Sequence, residues 1–533
     1  MKKLYIYLIA CAAMLGFTKC DSLDMEPQSS ITDANYWKSD AQFSAFNVGL
    51  HAKLRETSYN IFLLGEPRSD IYSGESSYYG GAPQGNEHLP FNTLNVANTG
   101  ISNFAGMYTV INQLNLMIEK TTETGVLSAD AKNYYLGEAY GMRAYLYFHL
   151  LRSWGDVIIW TSYTNGASLD LSDLTKGASP AAEVMAQIKS DIEASENAFG
   201  NQTRFKYDRH FWSKAATLML KGEVYLWSGN QMGGGSADFA VAKTALQSLV
   251  NYDQELTLNS DFSETFAYNK KNNSEIIFAI RNQLDEFDLW NNNYRLNMVP
   301  LKANQLIYFD ENFISFKDMP EESYDGLIRF AMKNELYTKV YHDKDSRKRV
   351  TMKAVYEQDP DTKEFKYIGV YAHKFRGTLK AGSTVYTNAD DYPIYRYADC
   401  LLLLAEAKAF LNEDPSAEIN AVRERAYGKE YFNANRATLA YPNDNDPEFY
   451  ANNKFVDPDS KGALEAVLKE RLREFIIEGK RWYDLRLAGD KYVLEHTSAV
   501  ATKLLWPIDA NTLTNNKALE QTPGYENKSD EKK

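Results

Sequence analysis

The sequence predicts a mainly α fold: tetratricopeptide-like helix pairs form a superhelical scaffold, broken by long irregular loop excursions and a few short β-strands. Three observations predict it. Apolar residues recur at steps of three and four along several runs of helical length. Small residues stand where paired helices must approach closely. Two long stretches, 58–103 and roughly 251–396, lack helical period and are rich in Gly, Asn, Asp and Tyr.

In the first pair, Leu136, Ala139, Arg143, Leu146 and Leu150 share a face, and the helix stops at Gly155. Its partner is expected from Ala181 to Ala198, just after Pro180, a residue suited to a helix start. A second pair runs from Phe211 to Ser228 and from Asp238 to Val250, with Gly233-Gly234-Gly235 as linker. A third helix, Tyr397 to Leu411, is apolar nearly all round and therefore buried; Ser416 to Tyr427 follows it. Gly137, Ala144, Gly222, Ala405 and Ala407 are the close-approach positions. A last helix is expected from Leu464 to Leu487, with Leu464, Leu468, Leu472, Phe475 and Trp482 on one side. Lys469, Glu470, Arg473 and Glu474 should then face solvent or a neighbouring helix end. Within the second irregular stretch, Glu275–Ile280 and Thr351–Tyr356 read as strands. Phe365–Tyr371 pairs with the latter across Asp359-Pro360-Asp361-Thr362.

The N-terminus carries an address. Lys2 and Lys3 precede an apolar run from Leu4 to Phe17, and Cys20 follows. A basic start, a short apolar run and a cysteine describe an export signal cut before that cysteine. The run holds 14 residues, and a helix needs about 20 to cross a bilayer. Cys20 is the expected lipidation site, a membrane anchor that does not span. Cys11 follows Leu8-Ile9-Ala10, but cutting there would leave too short an apolar run; Lys19 departs from the small apolar residues usual before such a cysteine. The chain then divides into a signal peptide, 1–19, and one domain, 20–533. That domain has an N-terminal part to about 250, a loop-rich excursion over about 251–396 and a C-terminal helical part over about 397–533.

The chain has 71 Asp and Glu against 58 Lys and Arg. The signal holds three lysines and no acids, so its removal takes the formal charge from −13 to about −16. Such a balance argues against nucleic acid or anionic membrane surfaces as partners. Beyond Cys20 only Cys400 remains, so packing and not disulfides must hold the domain, with Cys400 a core residue. Tyr is abundant, at 37 residues, and most aromatics should pack helices together.

Motifs for chemistry are missing. No HExxH, GxxxxGK[ST], GxSxG or CxxC pattern occurs, and the seven histidines are scattered. Asp457 to Gly462 begins like a calcium loop, but Lys461 takes a ligand position and Leu468 replaces the bidentate glutamate. Asn443-Asp444-Asn445-Asp446 reads as a solvated turn. No enzyme activity, cofactor or metal is expected.

Five blocks in order resemble the SusD/RagB family of outer-membrane lipoproteins of Bacteroidetes. They are Cys20 to Trp37, Glu138 to Gly155, Tyr392 to Ala407 with Asn420 to Arg423, Glu470 to Leu485, and Trp506 to Tyr525. The resemblance covers nearly the whole chain. It implies a non-catalytic binding protein at the cell surface, lipid-anchored to the outer membrane. Such a protein acts as a hinged lid on a TonB-dependent SusC-like barrel transporter and delivers glycans, or in some members peptides, to it. It also implies that Arg143, Glu406, Arg423, Glu478 and Arg481 bridge helices, and that Asp21, Asp24 and Glu26 favour surface export. A tetratricopeptide-type surface adaptor is a third reading.

The family's ligand site is built from loops, and two clusters match it by region. One is Tyr78-Tyr79 with Asn86 and Asn92 downstream; the other is Trp290-Asn291-Asn292-Asn293-Tyr294-Arg295. Flat aromatic faces stack on the C–H face of a sugar ring, while asparagine amides meet its hydroxyls. Trp290, Asn292, Tyr294, Tyr78, Tyr79 and Asn86 are therefore the expected ligand contacts, with Trp290 the principal one.

Overall fold

Local signals set the limits of several helices, a capping serine at the start or a glycine at the end. A computed structural model describes residues 36–73, 88–101, 104–164, 175–252, 256–287, 293–301, 306–319, 326–379, 381–382 and 386–525. Its N-terminal part contains α1 (Asp40–Glu56), α2 (Ser58–Gly65), α3 (Gly106–Glu123), α4 (Ala129–Trp154), α5 (Ala181–Phe199), α6 (Lys214–Gln231) and α7 (Gly235–Val250). Ser128 caps α4 by accepting from the Ala131 N–H, and Gly155, at φ +81°, ends it. Ser213 caps α6 in the same way.

α4 packs on α5 and α6 on α7, as antiparallel pairs should. The glycines work as expected: a Cβ on Gly137 would lie 2.8 Å from the Phe199 ring, and one on Gly222 would lie 2.6 Å from Leu246. Arg143 of α4 clasps Asp191 of α5 with two bonds, 2.8 and 2.7 Å. Cys400 is a free thiol buried in the core.

The excursion folds as a series of two-stranded antiparallel ribbons fastened to the helices. β1 (Tyr72–Ser73) pairs with β3 (Ala331–Met332), and β2 (Ile276–Ile280) with β8 (Tyr392–Arg396). β4 (Met352–Gln358) pairs with β5 (Phe365–Ala372), placing Gln358 opposite Phe365 across a turn in which Asp359 accepts from the Asp361 and Thr362 N–H groups. β6 (Thr378–Leu379) pairs with β7 (Tyr386–Thr387). Short helices lie between them, among them α8 (Asn293–Met298) and α9 (Arg347–Thr351). The C-terminal part follows with α10 (Tyr397–Phe410), α11 (Ser416–Tyr427), α12 (Ala463–Phe475) and α13 (Arg481–Ala488). Its α10 packs on both α7 and α12.

Four expectations need correction. Residues 58–65 are helical: Ile61, Phe62, Leu63 and Leu64 are all buried, so no polar face marks the period. The expected helix 464–487 is two helices. Ile477 and Gly479, at φ +69° and +73°, break it, and the Ile477 and Gly479 N–H groups donate to the buried Glu66 carboxylate. Lys469, Glu470, Arg473 and Glu474 are all buried, so none faces solvent. Glu406 bridges no helices through a hydrogen bond or ion pair among the described residues. Its carboxyl oxygens have no hydrogen-bond partner, and burial pushes its pKa up to about 8 against the pull of Arg471.

Many of the buried charges form one network. Arg347 binds Asp345 (2.6 Å), Glu470 (2.7 Å) and Glu474 (3.0 Å). Arg396 binds Glu275 (2.7 Å), Glu474 (2.6 Å) and Glu478 (2.8 Å). Arg425 reaches Glu275 and Glu474, and Lys374 reaches Glu478. Arg423 holds Asp459 and Glu470, which explains why Asp459 is part of the scaffold and not a calcium ligand. Buried charge is tolerated only when paired this closely. Since Glu275, Arg347, Lys374 and Arg396 belong to the excursion and Glu470, Glu474 and Glu478 to the C-terminal part, the network bolts the excursion to the scaffold.

Candidate functional site

One described end of each candidate loop is fastened to the same strip of chain, which forms one corner. β1 ends at Ser73, immediately before residue 74, and α8 begins at Asn293, immediately after residue 292. The strip 326–332 runs beside both. Its Ile328 and Phe330 N–H groups donate to the Val299 and Asn297 carbonyls (2.9 and 2.7 Å), and its Met332 and Ala331 face Tyr72 and Ser73.

Side chains lock the same corner. Asn297 is buried and donates to the Tyr59 hydroxyl at 2.6 Å. Burial raises the Tyr59 phenol pKa against that bond, so the ring stays neutral. Tyr59 stacks on Phe62 at 6.3 Å, and the Tyr72 ring meets Phe330 at 5.9 Å. The Tyr72 hydroxyl donates to Glu66 at 3.2 Å. Burial pushes Glu66 up to about 8, opposed by the Ile477 and Gly479 N–H groups, Lys374 and Tyr72. The corner is thus tied through Glu66 to the break between α12 and α13.

Trp290, Asn292, Tyr78, Tyr79, Asn86 and Cys20 lie outside the described residues, as do Asp21, Asp24 and Glu26. Tyr294 falls on α8. Asn92 is described and is not a surface ligand contact. It is buried at φ +53°, accepts from Arg68 Nε at 2.8 Å and donates to the Arg68 carbonyl at 3.1 Å. Arg68 in turn lies 4.2 Å over Trp482. A small amide adopts a left-handed backbone more readily than most residues, so the clamp suits Asn. What the sequence did not single out is the supporting set: Tyr59, Tyr72, Asn297 and Phe330. Their only sequence signal is membership of the same two irregular stretches.

Among the described residues, no group of three or more His, Cys, Asp or Glu is placed to hold a metal. Asp444, from the candidate cation turn, is met instead by Lys469 and Arg473 at 3.1 and 3.3 Å. No described helix is long and apolar enough to cross a membrane.

The SusD family model matches residues 197–486, more than half the chain. The chain belongs to the SusD family. A second family model, described as starch-binding associating with outer membrane, matches residues 21–226. NanU of B. fragilis is 61% identical, with a TM-score of 0.89, covering 94% of this chain and 100% of NanU. A SusD superfamily protein from Bacteroides vulgatus is 56% identical, with a TM-score of 0.87, covering 92% of this chain and all of that one. SusD-like protein P38 of Formosa agariphila is 27% identical over 98% of this chain and 99% of its own length. The tetratricopeptide-like helix pairs expected from periodicity are the scaffold these SusD relatives share.

Proposed function

We propose that the protein captures glycans at the cell surface and delivers them to a TonB-dependent SusC-like barrel transporter, acting as a lid without catalysis. A lipid on Cys20 anchors it to the outer membrane. Membership of the SusD family supports the binding role, and the starch-binding, outer-membrane description of the second matching model supports the ligand class and the location. The observation that carries the choice of site is the corner itself. Two loops, each with aromatic and asparagine residues, have one described end apiece fastened to the same frame.

Trp290 supplies the principal stacking face, with Tyr294, Tyr78 and Tyr79 beside it and Asn292 and Asn86 meeting hydroxyls. Losing a Trp side chain removes a large apolar contact face, and a stacked aromatic pair is worth about 0.5–1.5 kcal/mol beyond the area it buries, which sets the order of magnitude here. Trp290→Ala is therefore expected to weaken glycan affinity about tenfold or more by isothermal titration, with the thermal midpoint unchanged. Unchanged affinity in a folded variant overturns the site. If peptides bind and a broad glycan panel does not, the lid role stands with a peptide ligand.

A further inference from the structure

The loop 309–314 holds a phenylalanine in a backbone that phenylalanine rarely adopts. Phe313 sits at φ +62°, in the left-handed region, and is 50% exposed. Bulky side chains are outliers there, whereas glycine or asparagine takes that backbone at less cost. The loop itself imposes the angle. The buried Asp310 carboxylate accepts from the Asn312 and Ile314 N–H groups, both at 2.9 Å, and the Asp310 N–H donates to the Ile314 carbonyl at 2.9 Å. The Phe313 N–H donates to the Asp310 carbonyl at 3.0 Å. Phe309 and Tyr356 exchange backbone bonds of 2.9 and 2.8 Å, which fasten the loop to β4. Such a turn requires a left-handed residue but no aromatic ring. Strain held at an exposed bulky residue points to a role outside folding.

The ring lies on an aromatic face of the β4–β5 ribbon. Phe313 stacks on Phe365, with centres 4.4 Å apart and planes 17° apart, and meets Tyr356 edge to face at 5.3 Å. Tyr356 is paired with Tyr367 and Gln358 with Phe365, so these four positions share one side of the ribbon. Glu357 and Lys366 fall on the other side. The face thus presents rings and an amide, and those four positions bring no charge to it. With one side against Phe365, the Phe313 ring turns its other side outward, next to the exposed Asn312. Size decides what fits. A stable protein interface buries about 800 Å² on each partner, far more than this ring and the exposed Ile307 and Ile314 of the same segment offer. An outward ring with amides near it matches about one or two pyranose units, whose C–H face stacks and whose hydroxyls meet the amides.

We infer that Phe313 is the platform of a further saccharide site, one that takes uncharged sugar units of a glycan chain. The site shares no residue with the corner, although Tyr367 of the same ribbon donates to the Asn334 carbonyl at 2.8 Å, just beyond β3. It rests on the reading of the protein as a glycan binder, but not on Trp290 being a contact. The test titrates the full chain, Phe313→Gly, Phe313→Tyr and Trp290→Ala with three uncharged probes: maltoheptaose, cellohexaose and a poly-N-acetyllactosamine hexasaccharide. A full chain carrying a fluorine label on the Phe313 ring reports contact directly through its fluorine resonance. At least one probe should bind and shift that resonance. Phe313→Gly should weaken its binding about fivefold or more, and Phe313→Tyr, which keeps the ring, should hold it within about twofold. The thermal midpoint of Phe313→Gly should stay within about 2 °C of wild type, because glycine takes the left-handed backbone freely.

A probe that binds Phe313→Gly as tightly as wild type and leaves the fluorine resonance in place overturns the platform and leaves glycan capture standing. Binding of none of the three probes also overturns it, whereas glycan capture falls only if the broad glycan panel fails as well. A concentration-dependent dimer abolished by Phe313→Gly would make the ring a contact between copies of this chain and overturn the saccharide reading. Affinity lost in Phe313→Gly while Trp290→Ala changes nothing would leave the platform standing and refute the corner.

Discussion

Replacing Arg396 by Met tests whether the buried charges hold the excursion to the scaffold. Arg396 is fully buried and makes five hydrogen bonds, four to Glu275, Glu474 and Glu478 and one to the Glu474 carbonyl. Methionine fills much the same volume without the charge. The carboxylates then fall back on their other partners: Lys374 for Glu478, Arg347 and Arg425 for Glu474, and Arg425 for Glu275. Lys374, Arg347 and Arg425 would then serve Glu478, Glu474, Glu275 and Asp345, three cations to four carboxylates, so one more buried negative charge goes uncompensated. Removing one member of a buried pair costs about 3–5 kcal/mol. With an unfolding entropy of about 2.1 cal/mol/K per residue, a chain of this size should lose about 3–5 °C in its thermal midpoint if it unfolds as one unit.

The pH dependence separates this account from simple loss of packing. An orphaned glutamate has its folded pKa raised above the unfolded value, so the penalty is present at neutral pH and fades as the pH falls and the group protonates in both states. The stability difference between wild type and variant, followed by circular dichroism melts from pH 8 to pH 5, should therefore shrink towards the acid side. A variant as stable as wild type at pH 8 would refute the bolt. A difference that does not change with pH would refute the charge argument and leave only packing.

Three further outcomes follow from the same structure. A Cβ on Gly65 would stand 1.7 Å from the Gly479 carbonyl oxygen, two backbones with no room to yield. Gly65→Ala should thus cost about 3 kcal/mol or more, combining overpacking with strain on the Glu66 bonds, and a melt within a degree of wild type would contradict it. Burial would raise Glu470, but Arg347, Arg423 and Arg473 draw it down from 4.5 to about 2. Its contribution is present above its ordinary range and is lost as the pH falls from about 4.5 to 2, so acid melts of Glu470→Gln should be flatter than wild type in that window. Cys20→Ser should move the protein from the membrane to the soluble fraction of a cell lysate and abolish labelling by a fatty-acid probe; retained labelling would place the anchor elsewhere.

The helix pairs were legible because each turns one apolar face to its partner. The step from Leu136 to Leu150 and the contact of Gly222 with Leu246 both follow from a period of 3.6 residues. The β4–β5 hairpin was legible for a similarly local reason, since Asp359 closes its turn by bonds to residues two and three positions on. Local signals fail where burial is complete or where the partner is distant. The helix Ser58–Gly65 has no polar face to set the period. The run Lys469 to Glu474 reads as a solvated face because nothing nearby in sequence discloses its partners. Arg347, Arg396 and Arg425 come from 127, 78 and 49 residues away from Glu474. The same holds for the site. Trp290 and its asparagines stood out by composition, whereas Tyr59 and Asn297, which fix the frame, meet across 238 residues and carry no mark of it. A stacking site of the kind proposed needs a local cluster of residue types, which sequence displays, whereas the rigidity of its frame needs long-range pairs, which sequence conceals.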